Sequence, residues 1–284
     1  MRTANTVNKL HSKMGTLGMG AARWMLGWWD IVYFGAQALV IALSPSSYRA
    51  NTAGIVARHI YLSVGSILPW YSVLAAVVSL VITRIVVVTA LSYGLSQYAL
   101  EMVVRVLVLE LLPISAALFV ALRYMVPVSS DIAVMQRESQ LASWRDDQTV
   151  LRDELMPRVL AGVVSVLTLT AVSAVLALVI AYVVVYGLSP WGFDAYTRMV
   201  GRVFGPAIAL GFAVKSLLFS LVVGVIPIAA SMLNASMAGS DSNREKVRAA
   251  RVGLNLAGIS ESSLVRLFLV IFMIEAATLT IRYF

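Results

Sequence analysis

Long runs of apolar positions, broken by short polar stretches, are the dominant pattern of this chain. Val159 to Phe193 carries no charge over 35 residues and Ile60 to Thr83 none over 24, each longer than the roughly 20 residues a membrane helix needs. The pattern predicts five spans, at about Ser63–Leu91, Met102–Met125, Val159–Tyr186, Gly205–Met232 and Ser263–Phe284. Ahead of them, Ala21 to Leu43 behaves differently. Arg23, Asp30 and Gln37 recur every seven residues there and draw one narrow polar stripe along a helix. Trp24, Trp28, Trp29, Tyr33 and Phe34 crowd the same stretch, and such rings seek the membrane–water interface. A helix lying in the membrane plane satisfies both features; a sixth span is the competing reading. The fold class that follows is all-α and integral to the membrane.

Three segments organise the chain: a tail at 1–20, an interfacial helix with its closing turn at 21–48, and a five-span domain at 63–284. Inside span one, Ala75, Ser79 and Thr83 repeat every four residues, a small-residue stripe that lets helices approach closely in lipid. Span two is expected to end at Pro127, which opens the polar segment 127–158. Within that segment Ser129–Trp144 can form a separate short helix, with Ile132, Met135 and Leu141 among polar residues.

Composition agrees with the pattern: the 284 residues are 60% hydrophobic and 13% charged, against about half and a quarter in soluble domains. Absence of cysteine excludes disulfides, thiolate metal sites and cysteine nucleophiles. The net charge of +8 reads as topology and not as a nucleic-acid footprint. Arg137, Arg145, Arg152 and Arg158 lie in one long connection, and Arg244, Lys246, Arg248 and Arg251 in the other. That excess places both connections and the N-terminus in the cytoplasm, and five spans then leave the C-terminus outside. The GxxGxG string at Gly15–Gly20 follows no strand, so it reads as a flexible start.

Four ionisable residues fall inside the spans: Arg84, Glu110, Lys215 and Glu275. Counted from the outer helix ends they lie at similar depth. A lone charge at mid-bilayer costs at least about 2.5–3.5 kcal/mol, and pairing Arg84 with Glu110, and Lys215 with Glu275, would relieve it. The four are then either ion pairs that fix helix packing or the lining of a polar cavity for a substrate headgroup. Catalytic chemistry finds no support: no HExxH, GxSxG or paired-aspartate motif stands in a span, and no phosphate-binding GxxxxGK loop exists. No catalytic residue, no metal site and no cofactor of its own is expected.

Several of these segments, in order and spacing, resemble the MlaE (YrbE-type) permease family. Leu109-Glu110-Leu111-Leu112-Pro113, then Arg123, Asp131 and Met135, are similar to the family's RELGP segment and the GR, acid and methionine that follow it. Pro157-Arg158 resembles its proline–arginine opening of the third span, and Lys215-Ser216 its lysine–serine in the fourth. Glu138-Ser139-Gln140 stands near its glutamate–glutamine pair. Leu109, Leu112 and Leu122 replace an arginine and two glycines, and Arg84 is an added charge. The resemblance implies the permease subunit of an ABC transporter that moves phospholipid, or another hydrophobic molecule, between a bacterial inner membrane and the periplasm. It implies a separate cytoplasmic ATPase that holds the ATP, a periplasmic MCE protein, and a second permease, identical or paralogous. It also implies ATPase coupling through Asp131, Met135, Glu138, Gln140 and Arg145. From a different class, a non-transporting scaffold that anchors a periplasmic MCE complex is the alternative.

Overall fold

A computed structural model describes residues 28–41, 50–137, 151–238 and 255–283; these are helices and the short turns between them, with no strand among the described residues. Apart from a single 3-10 turn at Pro190–Gly192, seven helical elements follow one another among the described residues. They are α1 (Trp28–Ile41), α2 (Ala50–Ser92), α3 (96–137), α4 (151–186), α5 (Phe193–Val203), α6 (Pro206–Ala238) and α7 (Asn255–Tyr283). Five stretches are long and apolar enough to cross a membrane: Gly54–Ser92, Tyr98–Met135, Asp153–Tyr186, Pro206–Met232 and Ser263–Ile281.

Two expected boundaries move. Span one does not begin near residue 63, because α2 already runs from Ala50 and continues through Pro69. At 1.5 Å per residue this 43-residue helix is about 64 Å long, well over the roughly 30 Å hydrocarbon layer. Nor does span two stop at Pro127. α3 is continuous from Ser96 to Arg137 because α-helical and π-helical stretches alternate: Ser96–Val103 (α), Val104–Leu111 (π), Leu112–Val120 (α), Ala121–Met125 (π) and Val126–Arg137 (α). The expected separate helix after Pro127 is the end of this one.

Whereas α2 and α6 pass Pro69 and Pro227 as α-helix, each π-helical stretch of α3 ends just ahead of a proline. Its ring collides with the carbonyl four residues back, and a wider i to i+5 turn moves that carbonyl aside. The Leu112 N–H reaches back to Leu107 O just before Pro113, and the Val126 N–H to Ala121 O just before Pro127. A third π-turn, Leu151–Leu155, precedes Pro157 at the start of α4. The helix is rewound and not broken.

The stripe of Ala75, Ser79 and Thr83 is buried to 4%, 0% and 0% exposure, on the face where α2 packs along α4. Small side chains answer it from α4, among them Ala161, Ser165, Ala174, Ala177 and Ala181, and Ser63 Oγ bonds Ser165 Oγ at 2.8 Å. α4 also crosses α6 at a pair of glycines. A Cβ on Gly162 would stand 3.4 Å from Gly224 Cα, and one on Gly224 would stand 3.0 Å from Val159 O. Backbones meet there because nothing separates them.

The described part of α1 is 14 residues long, about 21 Å. Ile31, Phe34 and Ala38 face inward at helical spacing while Trp29, Val32 and Val40 are exposed, and Gly35 lies against Val225 of α6. At the opposite end of the bundle, Tyr182, Tyr186, Phe193 and Tyr196 form one aromatic cluster where α4 turns into α5. Tyr196 Oη donates to Leu178 O at 2.7 Å. Burial pushes the Tyr196 phenol up to about 12, so that hydrogen bond survives throughout the neutral range. Gly187, at φ +65°, supplies the left-handed residue that ends α4.

Candidate functional site

The membrane-embedded charges converge where α3, α6 and α7 meet. Lys215 stands near the middle of the apolar α6 and is 2% exposed. Its ammonium bonds Glu110 on the first π-helical stretch of α3. The same ammonium bonds Glu275 Oε1 on α7 at 2.9 Å and lies 2.8 Å from Glu275 Oε2. Side chains of both acids are largely withdrawn from the surface, at 15% and 14% exposure. One turn along α6, the Phe219 ring lies 5.8 Å from Lys215 Nζ, within cation–π range. Cation, two acids and ring are thus gathered in a setting where isolated charge is expensive.

Three of the four charges expected within the spans are thus brought together, and the expected Lys215–Glu275 pair is present. The expected Arg84–Glu110 pair is not: Glu110 meets Lys215, and Arg84 is exposed on α2. Depth in the bilayer does not distinguish these partners, whereas angle around the helix does. Thr83 belongs to the stripe buried against α4, and Arg84, one residue on, is turned about 100° away from it. The stripe that revealed the buried face of α2 therefore also held the signal against pairing Arg84 inward.

On the coupling side, Asp131 is exposed near the end of α3 and Met135 packs half-buried against the core. Glu138, Gln140 and Arg145 lie outside the described residues. Among the described residues no cluster of His, Cys, Asp and Glu has a metal-binding arrangement. Sequence reasoning missed Tyr71, which is buried on α2 and bonds Ser115 Oγ of α3 at 2.9 Å while packing on Phe119; a single tyrosine in an apolar run carries no pairing signal.

A family model for the MlaE permease matches residues 56–279. The chain belongs to the MlaE permease family. The match reaches into all five spans and takes in the whole Glu110–Lys215–Glu275 cluster. A search of curated proteins finds no match. As an MlaE permease, the chain is a membrane component of a lipid transport system and is not itself an enzyme. A further feature of the permease fits that role: an apolar groove of about 730 Å³ between α1 and α7, walled by Trp28, Trp29 and Val32 on one side and Leu269, Met273 and Ala277 on the other. Its wall α7 is the helix that carries Glu275.

Proposed function

We propose that this MlaE permease is the membrane subunit of an ABC transporter that moves phospholipid, or another hydrophobic molecule, between a bacterial inner membrane and the periplasm. Its partners in this reading are a cytoplasmic ATPase, which binds the ATP, a periplasmic MCE protein, and a second permease, identical or paralogous. The long connections 127–158 and 233–262 face the cytoplasm, and the C-terminus faces the periplasm. The family match, which reaches into all five spans, carries the reading. The groove between α1 and α7 supports it, because such a surface suits acyl chains.

In this mechanism the ATPase docks on the cytoplasmic end of α3 and the segment beyond it, through Asp131, Met135, Glu138, Gln140 and Arg145. Because α3 is one continuous helix from 96 to 137, a push at its end is delivered along the helix to Glu110. Arg84, exposed among Val81, Ile85 and Val88 on α2, is placed to meet an anionic headgroup. Removing that charge, as Arg84→Gln, should lower bound phospholipid without unfolding the protein.

Gentle purification from native membranes, followed by mass spectrometry of proteins and lipids together, tests the whole reading. Recovery of an ATPase, an MCE protein and phospholipid is expected. An MCE protein recovered without any ATPase would favour a scaffold that anchors a periplasmic complex.

A further inference from the structure

Lys215 brings one positive charge to two carboxyl groups. With all three ionised, the cluster would carry a net charge of −1 inside the apolar bundle. Two ionised carboxylates at one site also oppose each other, which is the ordinary reason for one of such a pair to keep its proton.

Geometry points the same way. One ammonium gathers both carboxyl groups, since Lys215 Nζ bonds Glu110 and Glu275 alike. An ionised carboxylate only accepts hydrogen bonds, so contact between two carboxyl groups is favourable only when one of them carries a hydrogen to donate. The two oxygens of Glu275 differ in a way that bears on this. Oε1 takes the lysine hydrogen bond. Oε2 is buried, lies 2.8 Å from Nζ, and takes no hydrogen bond among the described residues.

Among the described residues, the other charges of the spans have these settings. Glu101 and Arg105, also on α3, bind each other at 2.8 Å. Arg84 on α2 and Arg123 on α3 are exposed, and Asp30 is half-buried on α1. Arg158 on α4 pairs with Glu154. Arg266 is nine residues before Glu275 on α7, about 13 Å away along the helix. Between Pro206 and Met232, Lys215 is the only charged residue of α6. Lys215 is the cation that contacts both acids.

We propose that Glu110, Lys215 and Glu275 form a proton-binding site that holds one exchangeable proton between the two carboxyl groups at neutral pH. The occupied site is electrically neutral: one carboxylate balances the ammonium, and the second carboxyl, protonated, donates to the first. No bond other than O–H forms or breaks, and the proton comes from and returns to water. The site stands whether or not the permease moves lipid, since it needs only the cluster and its burial.

Infrared spectroscopy of the full chain in lipid nanodiscs tests it. At pH 7 the expected result is a carbonyl-stretch band of a protonated carboxyl that shifts in heavy water. The band should vanish in Glu110→Gln and in Glu275→Gln and persist in Asp131→Asn, whose carboxyl is exposed. Absence of the band at pH 7, or its survival in both glutamine variants, would overturn the proposal. Solid-state NMR of the unsubstituted chain with carboxyl-labelled glutamate needs no variant to fold. One glutamate carbon at the position of a protonated acid at pH 7 supports the site. All glutamates in the ionised position, as an inorganic cation bound in place of the proton would leave them, refutes it.

Discussion

Removing Lys215 and removing one of its acids are not equivalent changes. Lys215→Met would leave Glu110 and Glu275 facing each other with no cation, and breaking a buried pair in this way costs about 3–5 kcal/mol. Glu110→Gln leaves a matched one-to-one pair and keeps the shape of the side chain. Thermal unfolding in detergent is therefore expected to show a large loss for Lys215→Met and a small one for Glu110→Gln; equal losses would mean that the cluster does not act as a charge balance. Tyr196 gives a second residue-scale prediction. Its phenol is raised from 10.0 to about 12 by burial, so the neutral form is favoured in the folded state. The stability this contributes is fully present below about pH 10 and is lost as pH rises through about 12. Tyr196→Phe removes the bond to Leu178 O, should cost about 1 kcal/mol at neutral pH, and should flatten the alkaline decline in a pH series of melting curves.

Individual elements carry more of the fold than their hydropathy suggests. In α3 the π-helical stretch before Pro113 sets where Glu110 points, since each residue of helical phase is worth about 100°. Pro113→Ala restores an N–H and removes the ring that forced the wider turn. Glu110 should then rotate off Lys215, and Lys215 should react faster with a membrane-permeant acylating reagent than in the native chain. Helix crossings depend on the smallest side chains. A Cβ on Gly224 would stand 2.8 Å from Val163 Cγ2 and 3.0 Å from a backbone oxygen. Gly224→Val is therefore expected to push α4 and α6 apart and lower the melting temperature, by an overpacking cost of about 1–3 kcal/mol. The stripe of Ala75, Ser79 and Thr83 announced its own packing face in advance, because period and residue size are both local. Gly162 and Gly224 announced nothing, as their partner is each other and they lie 62 residues apart.

At the scale of the whole molecule, five crossings place successive connections on alternating sides. Since the chain has no cysteine, single cysteines report on this directly. Ser92→Cys and Ser189→Cys, which follow the first and third spans, should react with an impermeant thiol reagent from one face of sealed vesicles. Asp153→Cys, at the start of the third span, should react only from the other. Labelling of all three from one side would exclude the five-span topology.

Hydropathy and charge spacing were sufficient to determine the class, the five spans and a separate apolar helix ahead of them. Each depends on transfer of a contiguous segment out of water, which is a property of the segment alone. The approximate membership of the charged site was legible for the same reason, because Glu110, Lys215 and Glu275 are conspicuous in apolar surroundings. Which charge meets which was decided only in three dimensions. Arg84 and Glu110 match in depth, yet helical phase turns one to the surface and the other toward α6 and α7. The passage of α3 through Pro127 was likewise settled by tertiary structure: the ring accounts for the wider turn, and burial of Met125 before it and Ile132 after it decides that the helix goes on.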